Sequence, residues 1–264
     1  GLLKSNNEAT VALAKDALST FRGDISHPLA SVFDNCGDLG KKAILELISL
    51  RKMRSQYHLV YNQMSGDNAV VKSAAAIALK DIVTDNNLPD LFTLLEQSDP
   101  AFVPDLQQAV NAALNYLPAE QQLKLVSERM EKSTSKYLYY TALVNSGSQK
   151  AIDVITKTYA SSAGAEKNAA FLALTAWKSF HVIYPLLDIA RQSKNNLELE
   201  KVTDALISTI AKSGETGTVK YLYLRETMQF AQKDKQKNEI LKLLGNTGQY
   251  QAMLFVALFL DQPS

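Results

Sequence analysis

Apolar side chains recur along this chain at the spacing of a single helical stripe. In VVKSAAAIALKDIV, Val71, Ala74, Ala75, Ala78, Leu79 and Ile82 follow i, i+3, i+4, i+7, i+8, i+11, which puts all six on one face of a helix. A shift of 35 residues reproduces the stripe position for position in Leu106, Ala109, Val110, Ala113, Leu114 and Leu117. With Leu79 as an anchor, the same slot recurs at Leu18, Ile48, Leu79, Leu114, Leu143, Leu174, Ile210 and Leu244, at intervals of 30, 31, 35, 29, 31, 36 and 34. A period near 33 with slack in the loops predicts repeating helical hairpins.

The residue before the anchor is alanine at Ala17, Ala78, Ala113, Ala142 and Ala173, so a small side chain sits beside a large one and neighbouring helices can approach closely. Each anchor helix is followed, after a polar break, by a second apolar-periodic segment, such as LPDLFTLLEQ from Leu88 or VIYPLLDIA from Val182. No segment shows the sustained alternation of a half-buried strand. The pattern predicts an all-α chain of roughly fifteen helices in eight pairs.

The breaks carry helix punctuation. SDPAFVPD places Pro100 and Pro104 where a helix starts, and Pro118 falls between one helix and the next. Gly147, Gly214 and Gly248 each lie four residues after an anchor, where a left-handed residue ends a helix. AKSGETGTVKYL, residues 211 to 222, resembles a phosphate-cradling loop at first sight. Gly214, Gly217 and Lys220 lack the G-x-x-x-x-G-K-[ST] spacing, however, and a helix precedes them, so the segment is expected to be a corner between helices, with Thr216 or Thr218 as the next N-cap.

These residues carry a family resemblance. DNAVVKSAAAIAL from Asp67 resembles the second half of a HEAT repeat, which has an aspartate in the inter-helix turn, a Val-Lys or Val-Arg pair, and small residues leading to Ala-Leu. Asp67, Val71, Lys72, Ala75, Ala78 and Leu79 match it, Asp99 and Val103 match less closely, and EKNAAFLALTAW is a further similar stretch. The resemblance implies a right-handed α-α superhelix, an α-solenoid of about eight HEAT-like hairpins running as one array over 1–264, with the anchor helices lining its concave surface. It implies no reaction. The wealth of Asn, Gln, Ser and Tyr is also similar to helical arrays of secreted bacterial multidomain proteins that carry a 3-keto-disaccharide hydrolase-type domain. That likeness implies a periplasmic or extracellular protein rather than a cytoplasmic one, with any sugar chemistry in a separate domain.

Charge narrows the partners. There are 28 Lys plus Arg against 27 Asp plus Glu, so no excess attracts a nucleic acid or an anionic membrane. A lone cysteine, Cys36, excludes an internal disulfide framework, and His27, His58 and His181 have no metal-ligand spacing, so no metal or cofactor is expected. The longest apolar run, AMLFVALFL, is half the length of a membrane span.

Several ladders remain as candidate contact sites. Seven residues before the anchors stand Lys41, Lys72, Lys136, Lys167 and Lys237, in the basic slot of the family pattern, where the resemblance implies bonds to turn aspartates. Six residues before the anchors stand Ser73, Gln108, Tyr137, Asn168, Asp204 and Asn238, an uncharged to weakly charged strip suited to peptide or glycan. Tyr139 and Trp177 occupy core slots, whereas Tyr137, Tyr140 and Phe171 project away from the stripe and form the expected aromatic contact patch. No catalytic constellation emerges.

The reading is therefore a non-catalytic scaffold presenting Tyr137, Tyr140, Phe171, Gln108, Asn168, Asp204 and Asn238 to a protein, peptide or glycan. Its alternatives are a HEAT-like enzyme of the DNA-glycosylase kind, or an assembly or chaperone module binding partner helices. The last segment, QYQAMLFVALFLD, is apolar nearly all round, and a repeat array needs polar outer faces where it stops. An adjoining domain of a longer chain, or a second copy, is expected to cover Phe255, Leu258 and Leu260.

Overall fold

A computed structural model describes residues 1–259. Among them are sixteen α-helices and no strand. Eight carry the anchors: α1 (Glu8–Thr20), α3 (Asp38–Leu50), α5 (Ala69–Ile82), α7 (Val103–Leu114), α9 (Tyr140–Ser146), α11 (Gly164–Thr175), α13 (Asn196–Lys212) and α15 (Asp234–Gly245). Between and after them come α2 (Ser26–Phe33), α4 (Tyr57–Gln63), α6 (Leu88–Gln97), α8 (Ala119–Lys132), α10 (Gln149–Ser161), α12 (Ile183–Gln192), α14 (Gly217–Met228) and α16 (Tyr250–Ala257). The alternation read from the period is present throughout, and the architecture is an all-α, solenoid-like one.

Seven of the eight anchors are buried, Leu18 alone being half-exposed. Complete burial of such a side chain stabilises by about 1.5–3 kcal/mol. The small residues beside them do what their size allows: Ala74, Ala75, Ala76 and Ala78 of α5 and Ala109 and Ala113 of α7 are all buried. Helices faced with alanine come together closely, and α1, α3, α5 and α7 lie side by side.

The pairing differs in one respect from the order of segments in the sequence. A linking helix packs chiefly on the anchor helix that follows it, as α4 on α5, α6 on α7, α10 on α11 and α12 on α13. The chain forms two compact units, residues 1–145 and residues 146–264. In the first, successive anchor helices approach closely while α2, α4 and α6 do not approach one another to the same degree, so the anchor layer is the tighter, inner one. In the second, α11, α13 and α15 form the equivalent layer.

Helix ends follow local chemistry. Asn7, Asn68 and Asn195 cap anchor helices, each side chain accepting backbone N–H bonds at 2.9–3.2 Å. The cap of α5 is thus Asn68, while the turn aspartate of the family pattern, Asp67, lies exposed beside it. Thr216 caps α14 through the Val219 N–H at 3.4 Å, as the corner reading of that segment expects. Gly147 and Gly248 adopt left-handed backbone (φ 66° and 67°), but Gly214 does not, and α13 instead ends at an extended Ser213. The glycine this corner requires is Gly217, where a Cβ would collide with the Thr247 carbonyl oxygen.

Among the described residues one non-glycine residue is left-handed. After α3, Lys52 has φ 51°, while the Met53 N–H bonds the Ile48 carbonyl at 2.9 Å and the Lys52 N–H bonds that of Ser49 at 3.0 Å. This is a Schellman-type ending with lysine where glycine is the unstrained choice. Lys52→Gly is expected to raise unfolding free energy by about 0.5–1 kcal/mol in urea titration, and a loss would show that the lysine side chain matters more than its backbone strain. Ala78→Leu is expected to lower it by about 1–3 kcal/mol through overpacking, whereas Ile77→Ala on the exposed face of the same helix changes it by less than about 0.5 kcal/mol.

Candidate binding surfaces on the anchor helices

Each layer is stitched from repeat to repeat by polar pairs one period apart. In the first unit, Lys15 Nζ reaches Glu46 Oε2 at 2.7 Å, Ser49 Oγ donates to Asp81 Oδ2 at 2.6 Å, and Tyr57 Oη donates to Asp90 Oδ2 at 3.3 Å, across 31, 32 and 33 residues. In the second unit, Gln236 Nε2 donates to Asp204 Oδ1 at 2.7 Å across 32 residues, Lys233 pairs with Glu200 across 33, and Arg191 with Glu226 across 35. The hydrogen bonds therefore carry the same period as the apolar stripe.

Four of these pairs, Lys15–Glu46, Ser49–Asp81, Gln236–Asp204 and Lys233–Glu200, lie between successive anchor helices and line open grooves. One, of about 580 Å³, is bordered by Lys15, Asp16 and Ser19 of α1, Glu46 and Ser49 of α3, Lys52 beyond it, and Asp81 of α5. Another, of about 440 Å³, runs between α13 and α15 past Glu200, Asp204, Ser208, Lys212, Gln236 and Glu239. Both walls mix cations, carboxylates and neutral hydrogen-bonding groups, a surface that complements a partner of mixed sign better than a polyanion.

In α5, α7, α11, α13 and α15 the strip six residues before the anchors lies on this same helical face, while Tyr137 falls in the 3-10 turn before α9. Asp16, Glu46 and Ser208 sit two residues before their anchors, and Ser19 and Ser49 one after, which is four and seven residues beyond the strip and so in line with it. Gln108 and Tyr137 are exposed in the first unit, and Asn168, Asp204 and Asn238 in the second. Of the seven expected contact residues, Asp204 lines the α13–α15 groove and Asn168 and Phe171 share a smaller hollow, while the others line none of these grooves.

The aromatic patch requires correction. Tyr140 and Phe171 are buried, and only Tyr137 is exposed. Tyr140 begins α9 directly after a 3-10 turn at Lys136–Tyr139, so an angular offset counted along one continuous helix misplaces it. Phe171 packs towards Tyr159, ring centroids 6.2 Å apart. Tyr139 and Trp177 are in the core as expected.

The hollow that Asn168 and Phe171 share, of about 250 Å³, holds a polar cluster. Tyr159 Oη donates to Glu198 Oε1 at 2.8 Å, Ser193 Oγ donates to the other carboxylate oxygen at 2.6 Å, and Lys167 Nζ stands 4.7 Å above the Tyr159 ring. Burial, then the bond to Glu198, push the Tyr159 phenol well above its ordinary value. The lysine ladder behaves alike elsewhere: Lys41 lies over Phe33 at 5.6 Å and Lys72 over Phe102 at 5.8 Å, while Lys237 reaches Asp234 at 3.7 Å. Three rungs therefore rest on rings, each contact being worth about 0.5–1 kcal/mol at a surface, rather than on turn aspartates.

Two further clusters are visible only in three dimensions. Glu96 of α6 accepts from Tyr139 Oη at 2.6 Å and pairs with Arg129 of α8. Burial acts to raise the Glu96 carboxyl, but the Tyr139 and Arg129 bonds outweigh it and hold the group below the usual carboxylate range. On the outer layer of the second unit, Tyr184 and Tyr223 share a hydroxyl–hydroxyl bond of 2.8 Å and Phe180 meets the Tyr223 ring edge-to-face at 5.4 Å. No repeat position marks these pairings in advance, because partners 33 to 43 residues apart meet only once the helices stack.

Of the C-terminal residues expected to be covered, Phe255 is half-buried, Leu258 is exposed, and Leu260 lies outside the described residues. No described helix is long and apolar enough to cross a membrane. Among the described residues no group of three or more His, Cys, Asp or Glu side chains is arranged to hold a metal ion. No family model, curated protein or solved structure matches the chain.

The tyrosine environments fix an alkaline signature. Tyr57, Tyr139 and Tyr159 are raised first by burial, and Tyr223 is pushed up to about 12, first by its bond to Tyr184. In the unfolded chain all four ionise near 10. Between that pH and the folded values the unfolded state has lost protons that the folded state keeps, so stability falls as pH rises above about 10. Chemical denaturation at pH 9, 10 and 11 should show this decline. Tyr184→Phe should bring the Tyr223 transition below about 12 in ultraviolet absorbance titration.

Proposed function

We propose that the protein is a non-catalytic, HEAT-like α-solenoid scaffold whose anchor-helix face binds an extended segment of a partner protein. The observation that supports this most is the continuity between structure and surface: polar pairs that join one anchor helix to the next also form the groove walls. In the α1–α3–α5 groove, Lys15, Lys52, Asp16, Glu46 and Asp81 alternate in sign within one hollow. Three of the five are held by neighbours, Glu46 and Lys15 by each other and Asp81 by Ser49, so a bound segment meets donors and acceptors already fixed in place.

An extended polypeptide suits such a surface because it presents a backbone donor and acceptor at every residue and side chains at regular intervals. The grooves are open, and repetition rather than depth supplies area. In this reading, specificity resides in the order of charges along the groove, and electrostatic complementarity acts more on partner choice and association rate than on raw affinity.

The test is selection of peptides from a displayed random library against the whole chain, followed by affinity measurements on groove and outer-face variants. Peptides recognised by the groove should weaken about tenfold or more with Asp81→Lys or Glu46→Lys, and remain unchanged with Lys157→Glu on the outer layer. Selected peptides that bind all variants equally would place recognition elsewhere.

A further inference from the structure

The lysine just after α3 stands where the repeat elsewhere uses glycine. Lys52 follows the anchor Ile48 by four residues, as Gly147 follows Leu143 and Gly248 follows Leu244, and all three share left-handed backbone, with φ of 51°, 66° and 67°. Glycine takes that conformation freely, whereas the Cβ of lysine crowds the following carbonyl oxygen. Nothing within the fold explains the choice. The Lys52 N–H and C=O are bonded as those of any residue could be, to the Ser49 carbonyl and the Arg54 N–H. Its side chain is exposed, and among the described residues it makes no hydrogen bond, ion pair or ring contact. A strained residue whose side chain packs on nothing points to function rather than stability.

That side chain borders the α1–α3–α5 groove together with Lys15, Asp16, Glu46 and Asp81. The other cation there, Lys15, is taken up by Glu46 at 2.7 Å, and Asp81 is held by Ser49 at 2.6 Å. Lys52 is thus the ammonium group of this groove to which no carboxylate among the described residues is paired. An ammonium group without a counter-charge selects an anion. Three carboxylates on the same walls repel a dianion such as a phosphate more strongly than a single carboxylate, so the anion that fits is a monovalent one.

We infer that Lys52 is a specificity-determining residue of the groove, its ammonium group pairing with an aspartate or glutamate side chain of the bound segment. The inference rests on the peptide-binding reading and adds the sign of one partner residue. Asp16 and Asp81 call for a basic residue on the same segment, so the acid taken by Lys52 is one of a pair of opposite charges.

The test uses peptides selected from a library displayed within a fusion, which offers no free carboxyl terminus, and sorts them by sensitivity to Glu46→Lys or Asp81→Lys. Sensitive peptides should carry an aspartate or glutamate whose change to the matching amide weakens binding by about three- to tenfold, and Lys52→Gly should weaken the unaltered peptide by the same factor. The two changes together should cost no more than either alone. In Lys52→Glu, the peptide with lysine in place of that acid should bind more tightly than the original. Lys52→Gly relieves the backbone, so its urea midpoint should not fall, and a loss of binding is then separate from a loss of fold. Sensitive peptides that lack an acid, or that bind Lys52→Gly as tightly as the wild type, would overturn the inference and leave the peptide-binding reading standing. A lower urea midpoint for Lys52→Gly would also overturn it, since the lysine would then serve the fold. A selection that yields no sensitive peptide removes both.

Discussion

Everything in this fold depends on how near two anchor helices can come. The stripe that buries Leu79 or Leu114 places alanine immediately before it, and those alanines let α3, α5 and α7 lie side by side. Close approach then brings the polar faces of neighbouring anchor helices within hydrogen-bonding reach, as Lys15 with Glu46 and Ser49 with Asp81. Core and groove are consequently two sides of one spacing. A larger side chain at the alanine position would part the helices and, with them, the groove walls.

The repeat was the most legible feature because it is written many times. One helical stripe is weak information, but the same slot recurring at eight anchors specifies the alternation of helices, and all eight fall in helices. The binding face was also readable, since polar positions opposite the stripe align with the groove-lining residues along the same helices. Of the groove residues, Asp204 stands in the expected strip. Asp16, Glu46 and Ser208 occupy another column, which holds Ile77 and Leu172 in other repeats, so nothing marks it as a chemical site.

Local breaks account for the misplacements. Counting along one continuous helix from Lys136 turns Tyr140 outward, whereas a 3-10 turn resets the angle at Tyr140. Gly214 shares its offset from the anchor with Gly147 and Gly248 but not their backbone, because Ser213 ends α13 in an extended conformation. The Lys72 and Lys167 side chains turn to Phe102 and Tyr159. Such rings belong to connecting segments or linking helices, whose position relative to the anchors varies with loop length. Periodicity specifies direction within an element, and fails wherever two elements with independent offsets must meet.

The one-period reach of the cross-helix pairs has a kinetic meaning. A contact between residues 31 to 35 apart closes a loop of that length and no longer, and within each unit nearly the same loop is closed by each such pair. The entropy of closure is therefore met in small, similar instalments rather than in one long-range event. No single hairpin is marked out as the place where folding must begin, and a hairpin already in place offers its neighbour a finished template.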